Sequence, residues 1–193
     1  MSQEELLDSP ARHMTAAEFF RFCRANDALR IERDRYGNVE IMPPTGFETG
    51  RRNSKLTAKL DHWNETNGSK GVVLDSSTGY TLPNGAVRSP DASWISNERL
   101  VLTTLEDRER FVSAVPEFAV EIRSRSDRPR TLRDKMREYL DNGVLLAWFI
   151  DVPKQRVEIF RANGEVDTVE GFDQQLSGEN VLPGFVFDLQ WMQ

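Results

Sequence analysis

Residues 117–151 constrain this chain more than any other stretch. They read EFAVEIRSRSDRPRTLRDKMREYLDNGVLLAWFID. Within them AVEIR has the composition of a strand, and VLLAWFID is an almost wholly apolar run of strand length, the pattern of a strand covered on both faces. Between the two, the segment after Pro129 places Leu132, Met136, Tyr139 and Leu140 on one helical face and stops at Asn142-Gly143. Strand, helix and buried strand in this order put two parallel strands side by side, with the helix crossing over between them. The unit predicts a mixed sheet with helices packed on it, in the α/β (α+β) class.

The rest of the chain supplies further elements of both kinds. Thr15-Ala-Ala-Glu18 is a capping box, so a helix is expected over about 16–25. ALRIERDRYGNVEIM, residues 28–42, alternates apolar and charged residues around Tyr36-Gly37-Asn38 and reads as an N-terminal hairpin. Leu56, Leu60 and Trp63 mark a second amphipathic helix over about 49–65, closed by Asn67-Gly68. GVVLDSSTGYTL and AVRSPDASWI read as two strands joined at Pro83-Asn84-Gly85, and QRVEIFRANGEVDTVE as a C-terminal hairpin turning at Asn163-Gly164. No repeat, low-complexity tract or linker divides the chain. A single domain over 1–193 is expected, with 1–14 a flexible leading segment.

Composition narrows the classes of function. No run approaches the roughly 20 apolar residues of a membrane span, and MSQEELLDSP lacks the basic start and apolar middle of a secretory signal. A cytoplasmic protein without a membrane partner is therefore expected. The single cysteine, Cys23, agrees with a reducing compartment, and the CxxC and HxxxH spacings of zinc sites are absent. If a metal binds, oxygen ligands must hold it. A net charge of −6 argues mildly against wholesale nucleic-acid binding, yet RSRSDRPRTLRDKMRE, residues 123–138, carries seven basic residues against three acidic ones.

Glu121 is the anomaly in this pattern, an ionisable group inside a strand that looks buried. Such a carboxylate costs several kcal/mol unless something compensates it. Asp91, after Pro90, and Lys135, on the following helix, are candidates to meet it. Taking 100° per residue from Leu132, Lys135 falls about 60° from it and borders the buried stripe, whereas Asp134 and Glu138 lie on the far side and are expected to face water. Two carboxylates can hold Mg²⁺, which keeps several waters for substrate and nucleophile. A lysine at the same point would hold the attacking water or stabilise charge developing on a phosphate. The bland alternatives are a Pro-Asp turn, a glutamate paired with an arginine and a solvated lysine.

The string VEIRSRSDRPRTLRDKMREYLDNGVLLAWFID resembles the signature of the Uma2 family, also called DUF820, a group of restriction-endonuclease-like proteins in the PD-(D/E)XK nuclease superfamily. IMPPTGFETGRRNSKL, VRSPDASWIS and VLPGFVFDL resemble further family segments, so the likeness covers about residues 15–190. It implies a restriction-endonuclease-like mixed sheet flanked by helices, with the N-terminal and C-terminal hairpins as additions. The implied chemistry is hydrolysis of nucleic acid dependent on Mg²⁺ (or Mn²⁺). By position, Asp91 fills the family's aspartate and Glu121 its strand acid, making both the expected metal ligands. The lysine usual two residues after that acid is replaced by Arg123, and Lys135 fits a lysine moved to the next helix. The family often has a histidine near the start of its second helix, where this chain has Thr49. Glu48 beside it is a candidate extra carboxylate, equally well explained by the helix dipole.

The basic segment has two readings, phosphate contacts or an exposed helix face with salt links. Its place directly after the acid favours substrate for Arg123, Arg125 and Arg128, and surface for Arg133 and Arg137. Ser124 and Ser126 have no nucleophile elbow around them and read as turn or cap residues. The leading expectation is a metal-dependent endonuclease, DNA ahead of RNA as substrate. A homodimer would suit cleavage of both strands of a duplex. The rival is a catalytically weak or inactive nuclease-fold protein acting as a nucleic-acid-binding or regulatory partner, and a third option is a protein-binding role.

Overall fold

A computed structural model describes residues 14–125 and 127–193. The flexible segment expected over 1–14 lies outside the described residues except for Met14, as does Ser126. The elements in chain order are α1 (Ala16–Ala25), β1 (Arg30–Arg33), β2 (Val39–Met42), α2 (Phe47–Thr66), β3 (Gly71–Asp75), β4 (Tyr80–Thr81), β5 (Val87–Arg88) and β6 (Ala92–Ser96). Two single-turn helices, α3 (Asn97–Leu100) and α4 (Leu105–Arg108), precede β7 (Phe118–Arg123), α5 (Pro129–Asp141) and β8 (Leu146–Asp151). The chain closes with β9 (Arg156–Arg161), β10 (Val166–Glu170), β11 (Gln175–Ser177) and β12 (Val186–Asp188).

The main sheet has six strands in the order β10-β9-β8-β7-β6-β3. β7 and β8 are parallel, from Phe118 opposite Leu146 to Arg123 opposite Asp151, and the other pairs are antiparallel. This is the crossover predicted from residues 117–151, and α5 makes it. All six residues of β8 are buried, as its apolar run required. One face of the sheet packs Val120, Ile122, Trp148 and Ile150 against Leu56 and Leu60 of α2 and against Phe185 and Phe187 from the C-terminal segment. The other packs Ala119, Ala147 and Phe149 against Met136 and Tyr139 of α5. Trp148 stacks on Phe185 with ring centroids 5.9 Å apart, so the C-terminal β11-β12 pair serves as a lid on the first face.

A second, four-stranded sheet runs in the order β2-β1-β5-β4. It corrects two expectations. The stretches GVVLDSSTGYTL and AVRSPDASWI do not each form one strand: β3 and β6 pair with each other in the main sheet, while β4 and β5 pair beside the N-terminal hairpin. Glu138 does not face water either. The small sheet covers that side of α5, and Arg88 of β5 bonds Glu138 at 2.7 Å, leaving the carboxylate 8% exposed. Asp134, by contrast, is exposed beside Arg137 as its helical position predicted.

Candidate active site

Glu121 lies on the face of β7 turned toward α5, and the helix supplies what its burial requires. Lys135 Nζ stands 2.8 Å from Glu121 Oε1, and the Tyr139 hydroxyl donates to the same oxygen at 2.8 Å. Lys135 and Tyr139 are four apart on α5, so one turn of helix aims both groups at one point. Asp91 follows Pro90 and precedes β6, one step beyond the Ala92–Val120 pair, which puts it opposite Glu121. Its backbone N–H donates to Val120 O at 2.9 Å, and its Oδ2 accepts from Ile122 N–H at 2.8 Å. Its Oδ1 accepts from Asn53 Nδ2 of α2 at 2.8 Å. The aspartate is therefore clamped from two directions.

A third carboxylate completes the cluster, and sequence reasoning missed it. Glu32, on β1, is 1% exposed and takes Lys135 Nζ at 2.9 Å on Oε1, the oxygen that also accepts Ser89 N–H at 2.9 Å. Arg88 reaches its other oxygen at 3.2 Å and is itself held by Glu40 and Glu138. The signal was present but weak: a charged residue between Ile31 and Arg33 in a hairpin reads as the solvent side of an alternating strand. In the folded protein Ile31, Glu32 and Arg33 are all buried, because α1 and α5 approach the small sheet from different sides.

The electrostatics separate the three acids. Burial pushes the Glu121 carboxyl up to about 7, Lys135 opposes that shift, and the nearby charges of Asp91 and Glu32 add to it. Burial also raises the Asp91 carboxyl, against the Ile122 N–H bond. Glu32 is lowered despite its burial because Lys135 and Arg88 both face it. Lys135 lies between two carboxylates and is held above the usual lysine range, so it stays protonated.

These residues line a cleft of about 410 Å³ together with Arg30, Thr49, Arg128 and Thr131. Among the described residues no group of three or more His, Cys, Asp or Glu is arranged to hold a metal. Asp91 and Glu121, the pair expected to hold a cation, offer two carboxylates, and with water at the remaining positions such a set suits Mg²⁺. The donors suit a hard cation. Each Asp91 oxygen accepts one hydrogen bond and keeps a lone pair, and among the described residues Glu121 Oε2 has no donor at all.

Other expected site residues stand elsewhere. Glu48 is not brought to this cluster: it pairs with Arg51 at 2.9 Å and lines the neighbouring groove. Arg123 donates to Asp151 at 2.8 Å and to the Asp127 carbonyl, which ties it to the end of β8. Arg125 lines the neighbouring groove, while Arg128, the residue capping α5, is exposed at the mouth of the cleft. Arg133 grips Glu158 and Arg137 pairs with Asp134. Ser124 donates to Asp127, a turn contact.

Known proteins share this architecture. A model of the Uma2 family, described as "Putative restriction endonuclease", matches residues 16–190. In fold, the chain is similar to a protein from Anabaena variabilis ATCC 29413 described as a "putative nuclease belonging to DUF820", with a TM-score of 0.74. The two share 14% sequence identity over 93% of this chain and 99% of that one, so the likeness speaks for the fold. No curated protein matches the chain.

Proposed function

Given that the chain belongs to the Uma2 family, whose model spans residues 16–190, we propose that it is a metal-dependent endonuclease acting on nucleic acid, DNA ahead of RNA. The observation that carries this reading is the pair of buried carboxylates, Asp91 and Glu121, with unused lone pairs beside a lysine in one cleft. Asp91 and Glu121 would hold Mg²⁺ or Mn²⁺. When bound, that ion supplies Lewis acidity toward a phosphate and toward water.

The chain's own residues do the rest. Lys135 keeps its proton between Glu32 and Glu121 and presents a positive charge where a phosphate gains negative charge. Glu32 anchors the ammonium independently of Glu121, so the lysine stays in place when Glu121 is engaged elsewhere. Asn53 and the Ile122 N–H fix the orientation of Asp91. Arg128 adds positive charge at the mouth of the cleft.

Calorimetric titration of Mg²⁺ and Mn²⁺ into wild type and Asp91→Asn, with parallel cleavage of single- and double-stranded DNA, tests the reading. Metal binding and cleavage are expected to vanish together in the variant. A wild-type protein that neither binds metal in the presence of DNA nor cuts it would sink the proposal.

A further inference from the structure

The cleft holding Asp91 and Glu121 continues across Gly46, Thr49 and Ser124, which line both spaces, into a groove of about 980 Å³. Arg52, Arg123, Arg125 and Lys154 line that groove against the single carboxylate of Glu48. Arg123 is committed to Asp151, but among the described residues neither Arg125 nor Lys154 is paired with a carboxylate. Lining the same groove, at the first residue of α2, stands Phe47, 84% exposed. Scattered exposed apolar residues need no account. A bare phenyl ring set in a basic groove that leads to buried carboxylates is a different matter, because cations along a backbone track and an aromatic face for a base are the two parts of a single-strand binding surface.

We infer that this groove receives an unpaired nucleic-acid strand, with one base stacked on the Phe47 ring and phosphates beside Arg125 and Lys154. The inference deepens the hydrolytic reading and rests on it for where the strand leads, namely into the carboxylate cleft. The charges alone would suit any polyanion. The ring is what selects: bases inside a duplex are stacked on their own neighbours and offer Phe47 no free face, whereas an unpaired base does.

Fluorescence anisotropy in EDTA separates binding from cleavage, using labelled DNA and RNA oligonucleotides of mixed sequence, single-stranded and annealed, over a salt series. Single strands are expected to bind more tightly than duplexes. Phe47→Ala should weaken single-strand binding by about 5- to 150-fold, the range for losing one stacked base, and leave the salt slope unchanged. Phe47→Trp should retain affinity. Arg125→Ala should flatten the slope of log affinity against log salt by about 0.7. Equal or tighter duplex binding, or an unchanged Phe47→Ala, overturns the inference. Phe47-dependent binding without metal-dependent cleavage would leave the strand groove standing and remove the hydrolytic reading; cleavage indifferent to Phe47→Ala would do the reverse.

Discussion

Asp91→Asn is the obvious way to disable the candidate metal site, and its effect on stability can be worked out beforehand. Both Asp91 oxygens accept from N–H groups, Ile122 N–H on one and Asn53 Nδ2 on the other. An asparagine side chain has one acceptor oxygen, so whichever way it turns, its amide nitrogen must face a donor. The escape is next door: Asn53 Oδ1 is buried and has no hydrogen-bond partner in the wild type. Rotating the Asn53 amide by half a turn offers that oxygen to the amide nitrogen introduced at position 91, while the carbonyl introduced there keeps the Ile122 bond.

Two bonds to a charged acceptor, about 1.5–3 kcal/mol each, become two neutral ones of about 1 kcal/mol each. The variant also removes a buried charge whose desolvation costs several kcal/mol, consistent with the raised Asp91 carboxyl. These terms nearly cancel. In EDTA at pH 8, urea unfolding followed by circular dichroism should place Asp91→Asn within about 1 kcal/mol of wild type. In the Asp91→Asn background, Asn53→Ala should then cost about 1–3 kcal/mol, since it strands the amide introduced at position 91. A metal-free Asp91→Asn destabilised by more than about 2 kcal/mol would refute the compensation, and with it the use of this variant as a clean probe.

Two further outcomes follow from the same cluster. Glu121 sits at about 7 in the folded protein, above its ordinary value of 4.5, so the native state favours its protonated form and loses stability as pH rises from about 4.5 to 7; Glu121→Gln should flatten the unfolding free energy over that window, and an unchanged slope would place the titration elsewhere. Glu32 is shifted the other way, its stabilisation lost as pH falls below 4.5, and Glu32→Ala, which strips Arg88 and Lys135 of a buried partner, should cost about 3–5 kcal/mol, against a loss under 1 kcal/mol if the contact is dispensable.

The parts of the fold that were legible in the sequence are those with long, unambiguous periods. The β7-α5-β8 unit declared itself because an apolar run of strand length cannot be exposed, and Asn142-Gly143 marks where the helix must stop. Of the small sheet only the β1-β2 hairpin was legible: β4 and β5 are two residues each, too short to show any period, and their pairing depends on the chain returning to that hairpin. The missing β4-β5 part explains the error about Glu138 of α5. A helical wheel locates Glu138 opposite the sheet-facing stripe, but cannot know that Arg88 will cover that side. The same blind spot hid Glu32, whose alternating strand reads as solvent-facing at that position and whose partners lie 56 and 103 residues away. Asp91, Glu121 and Lys135 were singled out because burial of a charge within a recognisable strand demands an answer, and the family resemblance pointed to the same residues.

That long reach bears on when the site comes into being. Glu32 arrives with the first hairpin and Lys135 with the crossover helix, and closing so distant a contact carries an entropic cost that local structure cannot offset. Without the small sheet docked on α5, Lys135 would lack its second anchor, Glu32. The proposed hydrolytic competence thus depends on the docking of the N-terminal hairpin against the crossover helix as well as on the carboxylate pair that the main sheet holds together.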